Sequence, residues 1–274
     1  MTEILRIYQE LGDRNFSLFT EFLPKGYELT TLSSVDRQFY KSVIETKIKL
    51  GILITVLDDL ADRPDRYSPE VLHTAYRLDL NDQVQSHGPE IQFIQMLLRE
   101  ISEEIENLPF GAKYRSHLFF DLQHFYLANR MAELLTCDFD SVGSSEYLEL
   151  SSYNMGIVAA GMIDLMGSSQ LIEKEVGVCR EVFRCAQRVA RISNVLSTEE
   201  REVKEGDMTN EIYFRFQREK VSKESIRESL NQEFSDRLKQ FRLIGREIKT
   251  FSVDQYANGI SKLHELHLQM KGKI

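Results

Sequence analysis

Two carboxylates in the segment VLDDLADRPD, residues 56–65, are spaced to share one face of a helix. Asp58 and Asp62 are four positions apart and lie one above the other, whereas Asp59 lies about 100° round the helix axis. Like charges at this spacing destabilise a helix, and near its C-terminus they also oppose the helix dipole. Because the preceding residues are apolar, this helix end is expected to be partly buried, and a bound cation would offset the cost.

A second row of oxygen atoms is predicted in the segment NVLSTEERE, residues 194–202. Asn194, Thr198 and Glu202 follow one another at intervals of four, so an amide, a hydroxyl and a carboxylate lie along one side of a helix. Such hard oxygen donors suit Mg²⁺ rather than Zn²⁺, and neither cluster contains a His or a Cys. Mg²⁺ commonly binds through a few protein oxygens and substrate phosphates, so two facing clusters predict a diphosphate site bridged by Mg²⁺.

Either cluster alone has a simpler explanation. The chain contains 43 acidic residues, and a carboxylate-rich helix end is usually a solvated or salt-bridged surface. The two clusters occur together, however, each at the end of a predicted helix in an otherwise helical sequence. Their combination favours the metal site.

The composition limits the partners of the chain. A net charge of −9 argues against a general nucleic-acid-binding protein, because phosphate neutralisation needs clustered Lys and Arg. The longest mainly apolar run, residues 50–57, is far shorter than the ~20 residues that span a bilayer. The N-terminus is too polar for a signal peptide, and the three cysteines form no C-x-x-C pair. We therefore predict a soluble cytoplasmic protein with no nucleic-acid or membrane partner.

The predicted fold is an all-α helical bundle. All five prolines lie within the first 109 residues, which leaves the rest of the chain able to form long uninterrupted helices. Strand-like alternation is scarce, and no linker or internal repeat divides the sequence, so a single domain is predicted over residues 1–274. Apolar spacing near 3.6 predicts helices over residues 34–61, 91–107, 114–136, 146–166, 174–203, 223–251 and 253–270.

Candidates for a cavity wall are less specific. Residues 154–167 include Gly156 and Ala160, small residues that let a ligand approach a helix backbone, although close helix packing explains them equally well. Phe120 is an aromatic candidate, but aromatic residues at helical spacing usually belong to the core. His264 and His267 form a pair without a third ligand and are expected on the surface.

In this order the two clusters resemble the metal-binding motifs of class I terpene synthases. The family's aspartate-rich motif D-D-x-x-D is matched by Asp58, Asp59 and Asp62. Its N-D-x-x-[ST]-x-x-[KR]-E motif is matched by Asn194, Thr198, Arg201 and Glu202, with Val195 in the place of its Asp. The resemblance covers nearly the whole chain and implies a single-domain bundle of the class I terpenoid synthase type.

The resemblance also implies how the site residues divide their work. Three Mg²⁺ ions are expected, of which Asp58, assisted by Asp62, would hold two, while Asp59 would point away. The third ion would be held by Asn194, Thr198 and Glu202. Arg201 would hydrogen-bond the diphosphate, and weaker candidates for that role are Arg191, Lys204 and Arg188.

This chain departs from the family pattern at two places that bind diphosphate. The segment EYLELSSYNMG, residues 146–156, is similar to one that carries a diphosphate-sensing Arg in microbial members, but the expected position holds Ser151 or Ser152. The usual C-terminal Arg-Tyr pair is also absent from HELHLQMKGKI. Loss of the sensor is similar to bacterial diterpene synthases that take an already bicyclic diphosphate.

The activity implied by the resemblance is that of a Mg²⁺-dependent carbon–oxygen lyase. It would ionise a prenyl diphosphate, cyclise or rearrange the carbocation to a terpene hydrocarbon or alcohol, and release diphosphate. A C20 substrate, either linear or of bicyclic labdane type, is favoured over C15, and a homodimer is implied. Two alternatives stay open: a chain-elongating trans-prenyltransferase, which uses a second D-D-x-x-D motif, and a non-catalytic helical interaction protein on the same scaffold.

Overall fold

The computed structural model describes residues 1–12, 14–61, 67, 69–77, 88–205 and 208–271, and within them every regular element is helical. The all-α prediction is therefore confirmed. None of the helices in these ranges is long and apolar enough to cross a membrane. The α-helices are α1 (Thr2–Leu11), α2 (Leu23–Thr30), α3 (Arg37–Ala61), α4 (Pro69–Arg77), α5 (Pro89–Glu106), α6 (Gly111–Cys137), α7 (Ser144–Leu150), α8 (Ile157–Met166), α9 (Val176–Glu205), α10 (Glu211–Glu219), α11 (Lys223–Gly245) and α12 (Val253–Gln269).

The two long helices that carry the predicted motifs lie in the centre of the bundle. α3 packs against α2, α5, α6 and α8, and α9 packs against α8, α11 and α12. The apolar run Leu50, Ile52 and Leu53 of α3 is fully buried, and Val182, Phe183 and Ala186 of α9 are buried with it in the main core. Burial of these apolar faces fixes both helices, and therefore both oxygen-rich segments at their C-terminal ends.

The single helix predicted over residues 146–166 is wrong, because the chain breaks there. α7 ends at Leu150, the turn Ser151–Met155 is a 3₁₀ helix, and Gly156 at φ 62° starts α8. A Cβ at Gly156 would lie 2.2 Å from Cδ1 of Ile54, so only glycine fits both the left-handed backbone and the space. Apolar periodicity continues across such a break and does not reveal it.

A buried ion pair joins α3, α8 and the segment that follows α2. Lys47 and Asp164 are each 1 % exposed, and Lys47 Nζ lies 2.9 Å from Asp164 Oδ1. Lys47 also donates to Thr31 Oγ1, and the backbone N–H of Leu32 donates to Asp164 Oδ2. Burial raises the pKa of Asp164 to about 6, although the charge of Lys47 opposes that shift.

Candidate metal and diphosphate site

A cavity of about 240 Å³ lies between α3 and α9 and is lined by residues from each predicted motif. Its polar lining includes Asp58 from α3 and a row of side chains from α9. Those from α9 are Arg191, Asn194, Thr198, Arg201 and Glu202. Apolar side chains complete the wall, among them Leu18, Phe22, Leu23, Ile54 and Met155. The cavity therefore combines an oxygen-rich lining with a hydrocarbon-lined part.

The three α9 oxygen donors are held in place by hydrogen bonds. Thr198 Oγ1 donates to the backbone carbonyl of Asn194 at 2.8 Å, which leaves the hydroxyl lone pairs available to a cation. Glu202 is buried, and its Oε2 accepts from Nδ2 of the fully buried Asn210 at 2.6 Å. Asn194 Oδ1 accepts from Arg191 Nη1 at 3.2 Å. These contacts fix the side-chain rotamers in advance of any ligand.

The carboxylates at the end of α3 bind a cation from the N-terminal segment. Arg14 donates from Nη2 to Asp58 Oδ2 at 3.1 Å and from Nε to Asp59 Oδ1 at 2.9 Å. Asp59 is buried outside the cavity lining and also accepts a 2.6 Å hydrogen bond from Tyr8 Oη. Asp58 is the carboxylate of the pair that lines the cavity, and Asp62 lies outside the described residues.

Arg191 is the buried cation beside the α9 donors. Its side chain donates from Nη2 to the carbonyl of Thr209 at 2.8 Å, and its Nε is buried with no acceptor among the described residues. Burial would lower the pKa of Arg191, but Tyr147, Glu202 and Glu211 raise it, so the guanidinium stays charged. An unsatisfied buried N–H next to a cavity fits an anionic ligand oxygen.

The other basic candidates are placed differently. Arg201 lines the cavity, with Nη2 3.5 Å from Glu202 Oε1. Arg188 is engaged by Glu211 and Glu233 away from the cavity, so its predicted role on the diphosphate-binding face is wrong. The backbone of Lys204 continues α9, but its side chain is not among those described.

The donor set fits Mg²⁺ better than zinc. Across the described part of the chain, no group of three or more His, Cys, Asp or Glu side chains is arranged to hold a metal. The α9 row supplies one carboxylate, one amide and one hydroxyl, all hard oxygens. A site with so few protein ligands suits Mg²⁺, which keeps several bound waters and also coordinates the phosphate groups of a substrate.

The family follows from a match over most of the sequence. Residues 25–240 match the model of the terpene synthase family, metal binding domain. This chain belongs to the terpene synthase family. The match contains α3 and α9, the two helices whose motifs meet at the cavity. No curated protein matches the sequence.

Solved structures give the same fold for this member of the family. Isoprene synthase from grey poplar leaves (Populus x canescens) superposes with a TM-score of 0.74 at 14 % identity, over 97 % of this chain and 50 % of that one. The same enzyme in complex with three Mg²⁺ ions and dimethylallyl-S-thiolodiphosphate gives 0.70 at 14 % identity, over 96 % and 52 %. The chain thus spans about half the length of either structure.

None of the three small or aromatic cavity candidates borders the cavity between α3 and α9. Phe120 is 49 % exposed on the outer face of α6, where its ring meets His124. Gly156 lies behind Ile54, which forms the wall in its place, and Ala160 is buried within α8. Small or aromatic side chains alone do not indicate which side of a helix faces a cavity, so the sequence could not place these three residues.

The surface position expected for the histidine pair is also wrong. His267 is 5 % exposed and lines the cavity, and His264 is half-buried behind it. The sequence did carry a signal, because Leu263, Leu266, His267 and Met270 follow the i, i+3, i+4, i+7 pattern of a buried helix face. Ser151, at the expected position of the sensor Arg, is buried and lines the cavity with an Oγ that has no partner among the described residues.

Proposed function

We propose that this terpene synthase ionises a prenyl diphosphate in a Mg²⁺-dependent reaction, converts the carbocation to a terpene hydrocarbon or alcohol, and releases diphosphate. The observation that supports this most is the shared cavity. Asp58 of α3 and the α9 donors line it together with apolar side chains. Burying polar groups costs free energy, so helix packing alone does not explain why polar side chains from both helices face one cavity.

The protein's own residues have separable roles in this proposal. Asp58, with Asp62, would hold ions on one side, and Asn194, Thr198 and Glu202 would hold the third ion on the other. Mg²⁺, when bound, supplies electrostatic stabilisation of the leaving diphosphate. Arg191 and Arg201, with Lys204 as a further candidate, would donate hydrogen bonds to its oxygens. These groups would stabilise the negative charge of the leaving diphosphate without a sensor Arg, whose expected position holds Ser151 or Ser152.

The apolar wall would determine the fate of the hydrocarbon. Phe22, Leu23 and Ile54 line the cavity with hydrocarbon side chains that offer no nucleophilic heteroatom to a carbocation. Exclusion of water by these side chains would delay quenching until the chain has rearranged. We favour a C20 diphosphate, bicyclic or linear, with C15 as the alternative, because a serine occupies the expected position of the sensor Arg.

The test is Mg²⁺-dependent diphosphate release from C10, C15, linear C20 and bicyclic C20 diphosphates, with products identified by gas chromatography–mass spectrometry. Asp58→Asn and Glu202→Gln should each lower turnover at least about 100-fold, because each removes a ligand charge with little change of shape. Glu200→Gln is the matched control, since Glu200 lies on the same helix, is exposed, and pairs with Lys271. Its turnover should equal that of the wild type.

The same experiment separates the alternatives. Diphosphate release that requires isopentenyl diphosphate as a second substrate would identify a chain-elongating prenyltransferase. Absence of release from every substrate, in a protein that circular dichroism shows to be folded, would favour the non-catalytic interaction protein. Full turnover in Glu202→Gln would contradict the assignment of the α9 site.

A further inference from the structure

Two histidines of α12 share one serine hydroxyl of α9 at the edge of the cavity. Ser193 Oγ lies 3.0 Å from His267 Nδ1 and 2.9 Å from His264 Nδ1. Ser193 immediately precedes Asn194 but does not line the cavity, whereas His267 does. The arrangement therefore links a ring that borders the cavity to two groups behind it.

His267 is packed as a buried residue of fixed orientation. Its ring lies 4.6 Å from that of Phe22, and Leu263 and Leu266 are packed around the same phenylalanine. Burial lowers the pKa of His267 to about 4, with the charge of His264 acting in the same direction, so the ring is neutral at pH 7. Its Nε2 forms no hydrogen bond with any described residue.

The shared serine couples the protonation of the two rings. Ser193 Oγ carries one proton, so it donates to one imidazole and accepts from the other. With Nδ1 of His267 protonated, Ser193 accepts from His267 and donates its single proton to His264 Nδ1. The Nε2 lone pair of His267 is then left for the cavity.

We propose that His267 is the base that ends the reaction, by taking a proton from the terminal carbocation at Nε2. This inference rests on the proposed function. A C–H bond next to the cationic carbon breaks, its electron pair forms the C=C bond of the product, and the proton becomes the second N–H of an imidazolium. The proton leaves to solvent when product is released. Ser193 and His264 are positioning residues that keep the proton of the neutral ring on Nδ1.

Two variants separate a base from a mere wall residue. His267→Phe keeps an aromatic ring against Phe22 but removes both nitrogens. Ser193→Ala leaves the cavity wall unchanged and removes the orienting hydroxyl. Ser261→Ala is the matched control, because Ser261 also lies on α12 and its hydroxyl donates only to the Ala257 carbonyl of its own helix.

Diphosphate release and the product mixture are measured on the same samples, with the C10, C15 and C20 diphosphates. We expect the wild-type alkene to fall at least about tenfold relative to other alkenes and alcohols in His267→Phe, and to fall in the same direction in Ser193→Ala. The products are expressed per diphosphate released, so a change in the rate of ionisation does not enter the comparison. Ser261→Ala should give the wild-type mixture.

The outcomes distinguish this inference from the proposed function. No diphosphate release by the wild type would contradict the proposed function itself. If both variants release diphosphate and give the wild-type product mixture, the assignment of His267 as the base is wrong. A changed mixture in His267→Phe with a wild-type mixture in Ser193→Ala would also overturn it, since it would assign His267 a purely steric role. If His267→Phe does not fold, as shown by thermal melting, Ser193→Ala and His267→Gln decide the question.

Discussion

Arg191 places a fixed positive charge directly beside the predicted metal ligands. Its guanidinium bonds the Thr209 carbonyl and Asn194 Oδ1, and the planar group reaches both because its donors diverge. We therefore expect Arg191→Lys, which keeps the charge, to raise the KM for the diphosphate substrate about tenfold. Steady-state kinetics over a range of Mg²⁺ concentrations measures the effect, with Arg184→Lys as control, because the exposed Arg184 side chain pairs with Glu181 on its own helix. An unchanged KM would show that Arg191 only positions Asn194.

At this scale the sequence predicts contacts within one helix better than contacts between helices. The four-residue spacing of Asn194, Thr198 and Glu202 was sufficient to predict that they line one cavity. Arg14 could not be predicted, because its partner Asp58 is 44 residues away and only the packed fold brings them together. The spacing of His264 and His267 as a pair predicts a surface position, whereas the leucines that share the helix face of His267 indicate burial.

At the scale of secondary-structure elements, the N-terminal segment forms ion pairs with the carboxylates at the C-terminal end of α3. Arg14 holds the two aspartates together, and in the proposed site it would compete with a metal ion for Asp58. We expect Arg14→Gln to raise the affinity for Mn²⁺, used in place of Mg²⁺, by about tenfold in the absence of substrate, because a competing cation is removed. Isothermal titration measures this, and Arg6→Gln, whose side chain pairs with Glu3 and Glu10 on the exposed face of α1, is the control. Weaker Mn²⁺ binding in Arg14→Gln would show that Arg14 assists the metal site instead.

The break between α7 and α8 depends on one glycine. Gly156→Ala combines a left-handed residue with a 2.2 Å contact to Ile54, so we expect a loss of about 2–4 kcal/mol of unfolding free energy. Gly156→Ala with Ile54→Ala should recover only the steric part, which denaturant unfolding of both variants can measure. If Gly156→Ala is as stable as the wild type, the backbone has no need of glycine at this position.

For the whole molecule, composition and periodicity predicted the fold class and the seven longest helical regions, five of which have ends within three residues of those observed. The exceptions have local causes. α7 and α8 are separated at Gly156, and α11 ends at Gly245, where a Cβ would lie 2.7 Å from Val253 Cγ2. Short helices such as α1 and α10 were not predicted, because each is shorter than the window of about 11–18 residues over which apolar spacing indicates a helix.

The buried ion pair between Lys47 and Asp164 allows the contribution of charge pairing to the stability of the helical bundle to be measured. Removing one partner leaves the other charge buried, so Lys47→Met and Asp164→Leu should each cost about 3–5 kcal/mol at pH 8, whereas the double variant should regain most of that loss. Because the folded-state pKa of Asp164 lies above its unfolded value, its carboxylate costs stability above that pKa and the cost disappears as the pH falls. Lys47→Met should therefore be less destabilised at pH 5 than at pH 8. Asp164→Leu should show the opposite trend, because burial lowers the pKa of the Lys47 ammonium that is left without its partner. Urea unfolding at both pH values measures all four proteins, and additive losses in the double variant would show that the two charges do not stabilise each other.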